Sequence, residues 1–311
     1  MASLYAHRDS NIRKTWVLFT GFLIVVIGLG WLFSYVFNNP DILVIAVVFS
    51  SATAFVSYWY SDKIVLRISH ARPVEMENAP EIYRIVENLA ITAGLPMPKV
   101  YLIDEQAPNA FATGRNPEHA VVAVTTGLLE KLDRSELEGV IAHELSHIGN
   151  RDMLISTMAV ILVGFVSLAA DFFLRSMLWR GGFGGQRQRS AVNPVFLLIG
   201  IALIILAPIV ATLMRLAISR KREFLADASG ALLTRYPEGL ANALIKISSD
   251  PVPLRMAHNA TAHLWINNPF SAEGGSALGG KGRQKTSWLH HLFMTHPPVE
   301  ERVKALRGLE I

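Results

Sequence analysis

The sequence predicts an α+β membrane protein: a mainly helical domain with a small β-sheet, an N-terminal hairpin of two transmembrane helices, and a second apolar helical hairpin inserted into the domain. Three observations support this prediction. Two long uncharged runs open the chain, a segment with helical and strand periodicity follows, and a second pair of apolar runs comes after it. Of the 311 residues, 51% are hydrophobic and 17% are charged. Soluble proteins carry about 25% charged residues, so lipid is expected to solvate part of this chain.

The first two apolar runs have the length of membrane spans. They cover residues 16–37 and 42–60, which are 22 and 19 residues. As helices they would reach roughly 33 and 28 Å, close to the ~30 Å thickness of the hydrocarbon layer. Basic residues precede the first run and follow the second, whereas the connector 38–41 has none. The positive-inside rule then places the N-terminus and everything after Tyr60 in the cytoplasm, with the lipid bilayer as a partner.

The segment from about residue 61 to residue 152 has the periodicities of a soluble α+β fold. Apolar spacing predicts a helix over 80–93 and a second helix that ends near Asn150. Asp133 and Ser135 are rival N-caps of this second helix, because each has a glutamate three residues later, as a capping box requires. Short runs of alternating and β-branched residues predict three strands: 99–104, 111–114 and 120–125.

A second apolar pair, residues 153–174 and 195–214, separates this segment from the C-terminal part of the chain. Both runs are long enough to cross the membrane, but the connector 175–193 carries four arginines, against the positive-inside rule. Two crossings, as transmembrane helices three and four, are favoured, because both runs are long enough and the first anchor pair can already set the orientation. The alternative is a non-crossing hairpin in the cytoplasmic leaflet. Further helices are expected over 220–236, 238–270 and 299–307, with a glycine-rich loop over 271–287. The patterns therefore divide the chain into an anchor, a first domain part, an inserted hairpin and a second domain part: 1–61, 62–152, 153–214 and 215–311.

The composition restricts the possible ligands and partners. The formal net charge is +4, which is too small to indicate a nucleic-acid partner. The chain has no cysteine, so neither disulfides nor thiolate metal sites can form. Any bound metal ion must therefore be held by nitrogen and oxygen ligands.

The motif His143-Glu144-Leu145-Ser146-His147 indicates a zinc site with hydrolytic chemistry. Histidines four residues apart lie on one face of a helix, so both rings can bind a single ion about 2.0–2.1 Å from each nitrogen. Glu144 lies about 100° around the helix, where it can accept a proton from a metal-bound water without being a ligand. The motif therefore predicts zinc bound by the two histidines, with Glu144 as the general base.

A catalytic zinc site needs a third protein ligand and an open position. A carboxylate is the natural choice here, and Glu223 is the best candidate from the residues alone. Asp227 follows it by one helical turn and can accept the free N–H of a ligand histidine, which fixes the orientation of the ring. The alternative is an ordinary helix whose charged residues form surface pairs.

Several motifs together resemble the HtpX-like membrane metallopeptidases, which are relatives of the zinc proteases that process prenylated proteins in eukaryotes. The resemblance covers nearly the whole chain. It is based on the anchor pair, Pro108 to Gly114, the His-Glu-x-x-His helix with Asn150 and Asp152 after it, the Glu-x-x-x-Asp helix, and Thr295-His296-Pro297-Pro298 with Arg302.

The resemblance implies a gluzincin-type zinc protease with one Zn²⁺ per chain. Glu223 would be the third ligand and Asp227 its supporting carboxylate, while His296 would bind the substrate carbonyl or its oxyanion. Arg302 would pair with an acidic group behind the metal. The substrate would add as a strand to the segment that contains Asn109, Ala110 and Phe111, although the residues alone favour a turn at Asn109 and a core position for Phe111.

The resemblance also implies a location and partners. It places the protein in the bacterial cytoplasmic (inner) membrane with its active site facing the cytoplasm. There it would degrade misfolded or damaged membrane proteins, alongside an ATP-dependent membrane protease. One alternative is an intramembrane protease, although charged residues on both sides of the motif oppose it, since charge at bilayer depth is costly. Another is a non-catalytic scaffold or transporter with a structural metal site, which would not need Glu144.

Overall fold

The computed structural model describes residues 2–156, 200, 202, 220–254, 264–266 and 297–309. These include eight α-helices and one small mixed sheet, so the chain is mostly helical, as predicted. The helices are α1 (Ala2–Phe37), α2 (Asp41–Ile68), α3 (Pro80–Ala93), α4 (Thr126–Lys131), α5 (Arg134–Gly149), α6 (Arg220–Thr234), α7 (Pro237–Ser248) and α8 (Val299–Arg307). The strands are β1 (Arg72–Pro73), β2 (Lys99–Ile103), β3 (Ala110–Gly114) and β4 (Ala120–Thr125). Most of the second apolar hairpin, the loop 271–287 and His296 lie outside the described residues.

Helices α1 and α2 form the predicted apolar hairpin. Their segments Asn11–Tyr35 and Asp41–Ile68 are long and apolar enough to cross a membrane. Only 13% and 11% of the most apolar stretch of each segment is buried within the protein. The two helices approach closely at Gly30, where an added Cβ would lie 2.3 Å from the Ala46 Cβ. Most of the apolar surface of the hairpin therefore lies outside the protein core, as expected of a membrane anchor.

Helix α2 continues beyond the predicted run, which ends at Tyr60, and enters the core of the domain. Val65 is fully buried and packs in a cluster with Ile103, Phe111 and Trp265. The apolar run therefore indicated where the exposed part of this helix ends, but not where the helix ends. Because the helix is unbroken to Ile68, the apolar hairpin continues directly into the core of the domain.

The sheet has the strand order β1-β2-β4-β3. Strands β2 and β4 are parallel, whereas β3 pairs with β4 and β1 pairs with β2 in antiparallel fashion. The three predicted strands are thus present. Strand β1 has only two residues, too few to show a periodicity in the sequence.

Helix α5 lies at the centre of the domain. It contacts strands β3 and β4 on one side and helices α3, α6 and α7 on others. Val140, Ile141 and Leu145 are fully buried in the main hydrophobic core. Because these elements surround α5, the helix and the polar side chains that it carries are held firmly within the domain.

Two local features differ from the prediction. Helix α4 was not predicted; it begins after Thr125, whose hydroxyl accepts the Leu128 N–H as an N-cap. Helix α7 ends at Ser248, so the predicted helix over 238–270 is wrong in the described residues beyond that point. Pro251 and Pro253 follow closely and lack the N–H that a helix needs, and the Asp250 side chain accepts a backbone N–H instead.

Candidate metal centre and active site

Helix α5 carries His143, Glu144 and His147 and begins at a capping box. The Asp133 side chain accepts the Glu136 N–H at 3.0 Å, and the Glu136 side chain accepts the Asp133 N–H at 2.9 Å. Asp133 is therefore the N-cap, and the rival candidate, Ser135, donates its hydroxyl to Asp133 at 2.8 Å. This closed pair of bonds satisfies two backbone donors at the start of the helix that presents the histidines.

Helix α6 presents Glu223 and Asp227 to the histidines of α5. The two helices are close because Gly230 has no side chain. An added Cβ there would lie 2.9 Å from the His143 backbone nitrogen, which is closer than real Cβ contacts. Glu223 and Asp227 are 8% and 2% exposed, so both carboxylates face the interior.

His143, His147 and Glu223 bring three possible ligand atoms together. The two Nε2 atoms are 3.1 Å apart, and they lie 3.8 and 3.7 Å from the nearer oxygens of the Glu223 carboxylate. Ligands 2.0–2.1 Å from a tetrahedral zinc ion are separated by about 3.3 Å. Within the described residues these side chains form a group that could hold a metal ion, and the spacing fits zinc.

The other ring nitrogens, the Nδ1 atoms, face carboxylates. His143 Nδ1 lies 2.9 Å from Asp227 Oδ1, off the ideal hydrogen-bond direction, and His147 Nδ1 lies 3.2 Å from Asp152 Oδ2. Carboxylates only accept, so each Nδ1 carries a proton, and a ring in its neutral form points its Nε2 lone pair at the other ring. Two lone pairs and a carboxylate at this distance repel unless a cation or a proton lies between them.

The pKa values of the two histidines differ for physical reasons. Burial lowers the pKa of His143 to about 4, which keeps this ring neutral. Burial alone would also lower the pKa of His147, but the hydrogen bond to Asp152 and the charge of Glu223 raise it to about 9. In the absence of metal, a proton on His147 therefore separates the two rings. A metal ion must displace that proton when it binds.

Asp227 is held in place by Arg302. The guanidinium donates to both carboxylate oxygens, from Nε at 2.8 Å and from Nη2 at 2.7 Å, and Nη1 donates to the Ile266 carbonyl at 3.2 Å. Arg302 is 1% exposed. The structure thus places Arg302 behind the carboxylate that contacts His143, which is the arrangement that the sequence predicts.

Glu144 has the setting of a general base. It is 2% exposed, and burial, together with the charge of Glu223, raises its pKa to about 7. The backbone N–H of Ala112, on the edge strand β3, donates to this carboxylate and lowers its pKa. A carboxyl group with a pKa near neutrality can both accept and return a proton under physiological conditions.

Strand β3, the predicted substrate strand, is an edge of the described sheet. Thr125 N–H donates to the Asn109 carbonyl, so alternate residues from Asn109, including Phe111, direct their backbone groups to β4. The outward groups belong to Ala110, Ala112 and Gly114. The Ala110 carbonyl already accepts the Ile266 N–H at 3.0 Å, and Phe111 packs edge-on against Trp265 with ring centroids 4.9 Å apart.

The structure therefore brings together six of the predicted site residues: His143, Glu144, His147, Glu223, Asp227 and Arg302. The predicted role of His296 stays a prediction, because this residue lies outside the described part of the chain. Sequence reasoning assigned no role to Asn11, and none to Asp152 or Ala112 individually. Asp152 entered only as part of the resemblance, and Ala112 only as a member of the predicted substrate strand. No pattern in the sequence singled out Asn11.

A helix with the motif His-Glu-x-x-His, a facing glutamate and a buried Glu144 define the site of a metal-dependent hydrolase. The model of peptidase family M48 matches residues 76–310, and the chain belongs to this family. A "Protease HtpX homolog" of Caldanaerobacter subterraneus subsp. tengcongensis is 44% identical over 313 residues and covers 99% of both chains. Another, of Thermococcus sibiricus, is 47% identical over 294 residues, which is 93% of this chain and 94% of the relative.

A crystal structure of S. mikatae Ste24p is similar to this chain with a TM-score of 0.49 and 20% identity. The match covers 94% of this chain and 66% of the Ste24p chain. The family and the names of the relatives support a peptidase and confirm the resemblance to HtpX-like metallopeptidases. Together with the two apolar helices they suggest a membrane protein.

Proposed function

We propose that this protein is a membrane-bound zinc metalloendopeptidase that cleaves misfolded or damaged membrane proteins at the cytoplasmic face. One observation carries the proposal. The Nε2 atoms of His143 and His147 and the Glu223 carboxylate converge with the spacing of zinc ligands, while a carboxylate behind each ring directs both Nε2 lone pairs inward. A third ligand that is a glutamate from a second helix is the arrangement expected of a gluzincin.

Zinc bound there would lower the pKa of a coordinated water to about 7 and polarise the substrate carbonyl. Glu144 would accept the proton of that water and later return it to the leaving amine, and its burial favours this role because it raises the pKa of the carboxyl group. The Ala112 N–H holds the Glu144 carboxylate in place. Asp227 and Asp152 would keep the two ligand rings oriented throughout.

The substrate would bind as an extended strand along the outer edge of β3. Such binding uses backbone hydrogen bonds and tolerates many side chains, as degradation of damaged proteins requires. Since the Ala110 carbonyl is occupied by Ile266 and the Ala112 N–H donates to Glu144, the outward groups proposed for this pairing are the Ala112 carbonyl and those of Gly114. Asn109 and Phe111 would then shape the strand rather than contact the substrate backbone.

The cytoplasmic location rests on the flanking charges and on the continuity of α2. The positive-inside rule puts the end of this helix in the cytoplasm, and Val65 near that end is buried against the sheet. The active site would therefore lie near the inner surface of the cytoplasmic membrane. An ATP-dependent membrane protease is a proposed partner in the same task, and nucleic acid is not expected as a partner.

The test compares zinc content and proteolysis of the purified full-length protein. Glu144→Gln should keep one zinc per chain and its fold but lose nearly all cleavage of an unfolded model substrate, since only proton transfer is removed. Glu223→Ala should lose zinc as well. Exposed Glu81→Gln, on α3, serves as a control that should change neither property. Appreciable cleavage by Glu144→Gln would contradict the mechanism, and unchanged zinc in Glu223→Ala would remove this residue from the ligands.

The same measurements separate the two alternatives. A scaffold or transporter with a structural zinc site would bind zinc but show no proteolysis in the unsubstituted protein. An intramembrane protease would cleave only within a membrane-spanning segment of its substrate. The charged pairs around α5, such as Arg134 with Glu138 at 3.0 Å on an exposed surface, favour a site outside the bilayer.

A further inference from the structure

Helix α1 reaches the candidate metal centre through one side chain. Asn11 lies where the apolar segment of this helix begins, yet it is only 4% exposed. Its amide Nδ2 donates to Asp152 Oδ1 at 2.6 Å and to the Asn150 carbonyl at 3.1 Å. Both acceptors directly follow α5, the helix that carries the histidines. A buried amide with two acceptors 139 and 141 residues away is a specific tertiary contact.

Asp152 connects this amide to a metal ligand. While Oδ1 accepts from Asn11, the other carboxylate oxygen, Oδ2, lies 3.2 Å from His147 Nδ1. The carboxylate is planar, so fixing one oxygen also fixes the direction of the other. Arg222, at 3.7 Å from Oδ1, adds positive charge but is farther away than the amide. The amide, at 2.6 Å, therefore fixes the Oδ1 end of the Asp152 carboxylate.

We propose that Asn11 is a positioning residue for His147, so that helix α1 is part of the metal centre as well as the membrane anchor. Without the amide, Asp152 can rotate about its side-chain bonds, and the ring of His147 loses the acceptor that directs Nε2 toward the metal. This inference rests on the proposed zinc site. The expected consequence is that the affinity for zinc depends on a residue of the membrane anchor that does not touch the metal.

The substitution Asn11→Asp tests this with little change of shape. It replaces the donor by a second carboxylate beside Asp152, so the two groups repel. In full-length protein in detergent, zinc affinity measured by competition with a chelator should fall by roughly 10–100-fold, the range typical of groups that support metal ligands. The zinc affinity of Asn11→Ala should fall by about 10-fold. The control is Asn88→Ala, an exposed asparagine on α3, which should bind zinc like the unsubstituted protein.

A second measurement separates positioning from a general structural role. In a double-mutant cycle, Asn11→Ala should weaken zinc binding in the unsubstituted protein but have no further effect when Asp152→Ala is present. A merely structural contribution of Asn11 would weaken binding equally in both backgrounds. Circular dichroism of the metal-free variants checks that each retains its helical content. If Asn11→Asp does not fold, the cycle with Asn11→Ala alone decides.

The outcomes for the inference and for the proposed function are distinct. If both Asn11 variants bind zinc as tightly as the unsubstituted protein, or if the effects in the cycle add, the positioning role is wrong while the zinc site stands. If the unsubstituted protein binds no zinc, the proposed function fails first. A loss of affinity that depends on Asp152 supports the inference.

Discussion

Removing Arg302 should destabilise the protein and weaken its metal site together, because this side chain neutralises a buried carboxylate. Arg302 and Asp227 are 1% and 2% exposed and are joined by two hydrogen bonds. Burial raises the pKa of Asp227, but the charge and hydrogen bonds of Arg302 outweigh this and lower it from 3.8 to about 2. That difference corresponds to about 2 kcal/mol of stability. Breaking a buried pair by removing one partner typically costs roughly 3–5 kcal/mol, so Arg302→Met should cost a similar amount.

The pH dependence of this contribution has a definite sign. The pKa of Asp227 is lower in the folded protein than its ordinary value, so the folded state favours the ionised carboxylate. The stabilisation is therefore fully present above about pH 3.8 and is lost as the pH falls toward 2. At neutral pH the unsubstituted protein has all of this stabilisation. In Arg302→Met the uncompensated carboxylate is expected to take up a proton, which limits the loss but removes the charged acceptor beside His143.

The assay is denaturant unfolding of metal-free protein in detergent, followed by tryptophan fluorescence. Trp265 is a suitable reporter, because it is fully buried beside Ile266, whose carbonyl accepts a hydrogen bond from Arg302. The matched control is Arg307→Met on the same helix. Its ion pair with Glu238 has side chains 50% and 43% exposed, so this variant should lose less than about 1 kcal/mol.

The result that would refute this reasoning is an Arg302→Met variant no less stable than Arg307→Met. The double variant Arg302→Met, Asp227→Asn provides a further check, since it removes the buried charge as well as its partner. It should recover part of the lost free energy of unfolding. The zinc affinity of Arg302→Met should also fall by roughly 10–100-fold, because Asp227 no longer holds the ring of His143.

Two further predictions concern the approach of α6 to α5 and the path of the chain between them. Gly230→Ala would place a Cβ about 2.9 Å from the His143 nitrogen, so the helices must separate; unfolding free energy should fall by about 1–3 kcal/mol, with weaker zinc binding. Gly149→Ala, in ordinary contact with Leu95 only, is its control, and equal effects in both variants would contradict the explanation. A cysteine at Gly182, in this cysteine-free chain, should react with an impermeant thiol reagent on intact cells if residues 153–214 cross the membrane twice. Labelling only after lysis would indicate a non-crossing hairpin.

The sequence predicted those parts of the fold whose cause is local. The histidine helix was predictable because its cap, Asp133, its apolar positions and its motif lie within one short segment. The strands β2 and β4 were predictable for the same reason, and so was α8, which begins after two prolines. In contrast, the predicted length of α7 is wrong. Amphipathic spacing continues beyond Ser248, but Pro251 and Pro253 prevent a helix there.

The candidate site was predictable where spacing alone places ligands together. Histidines four residues apart share a helical face, and Glu223 with Asp227 repeats that spacing on a second helix. That Gly230 allows these helices to touch could not be deduced, since a glycine within a helix has many possible causes. The contact of Asn11 with Asp152 spans 141 residues, and no periodicity in the sequence encodes such a pairing.

The closeness of the metal ligands restricts how the chain can cross the membrane. His143 and Glu223 lie 3.8 Å apart, although an apolar segment long enough for two spans separates them in the sequence. In the proposed membrane-bound protein both candidate ligands must therefore lie on the same side of the bilayer, so the segment crosses it an even number of times, either twice or not at all. The Asn11–Asp152 bond adds that the start of α1 is on this side too. Since α2 also returns to it, the contact of Asn11 with Asp152 behind His147 depends on insertion of the first hairpin in this orientation. A chain with an inverted α1 could not complete the surroundings of His147, and its metal site should bind zinc less tightly than that of a correctly inserted chain.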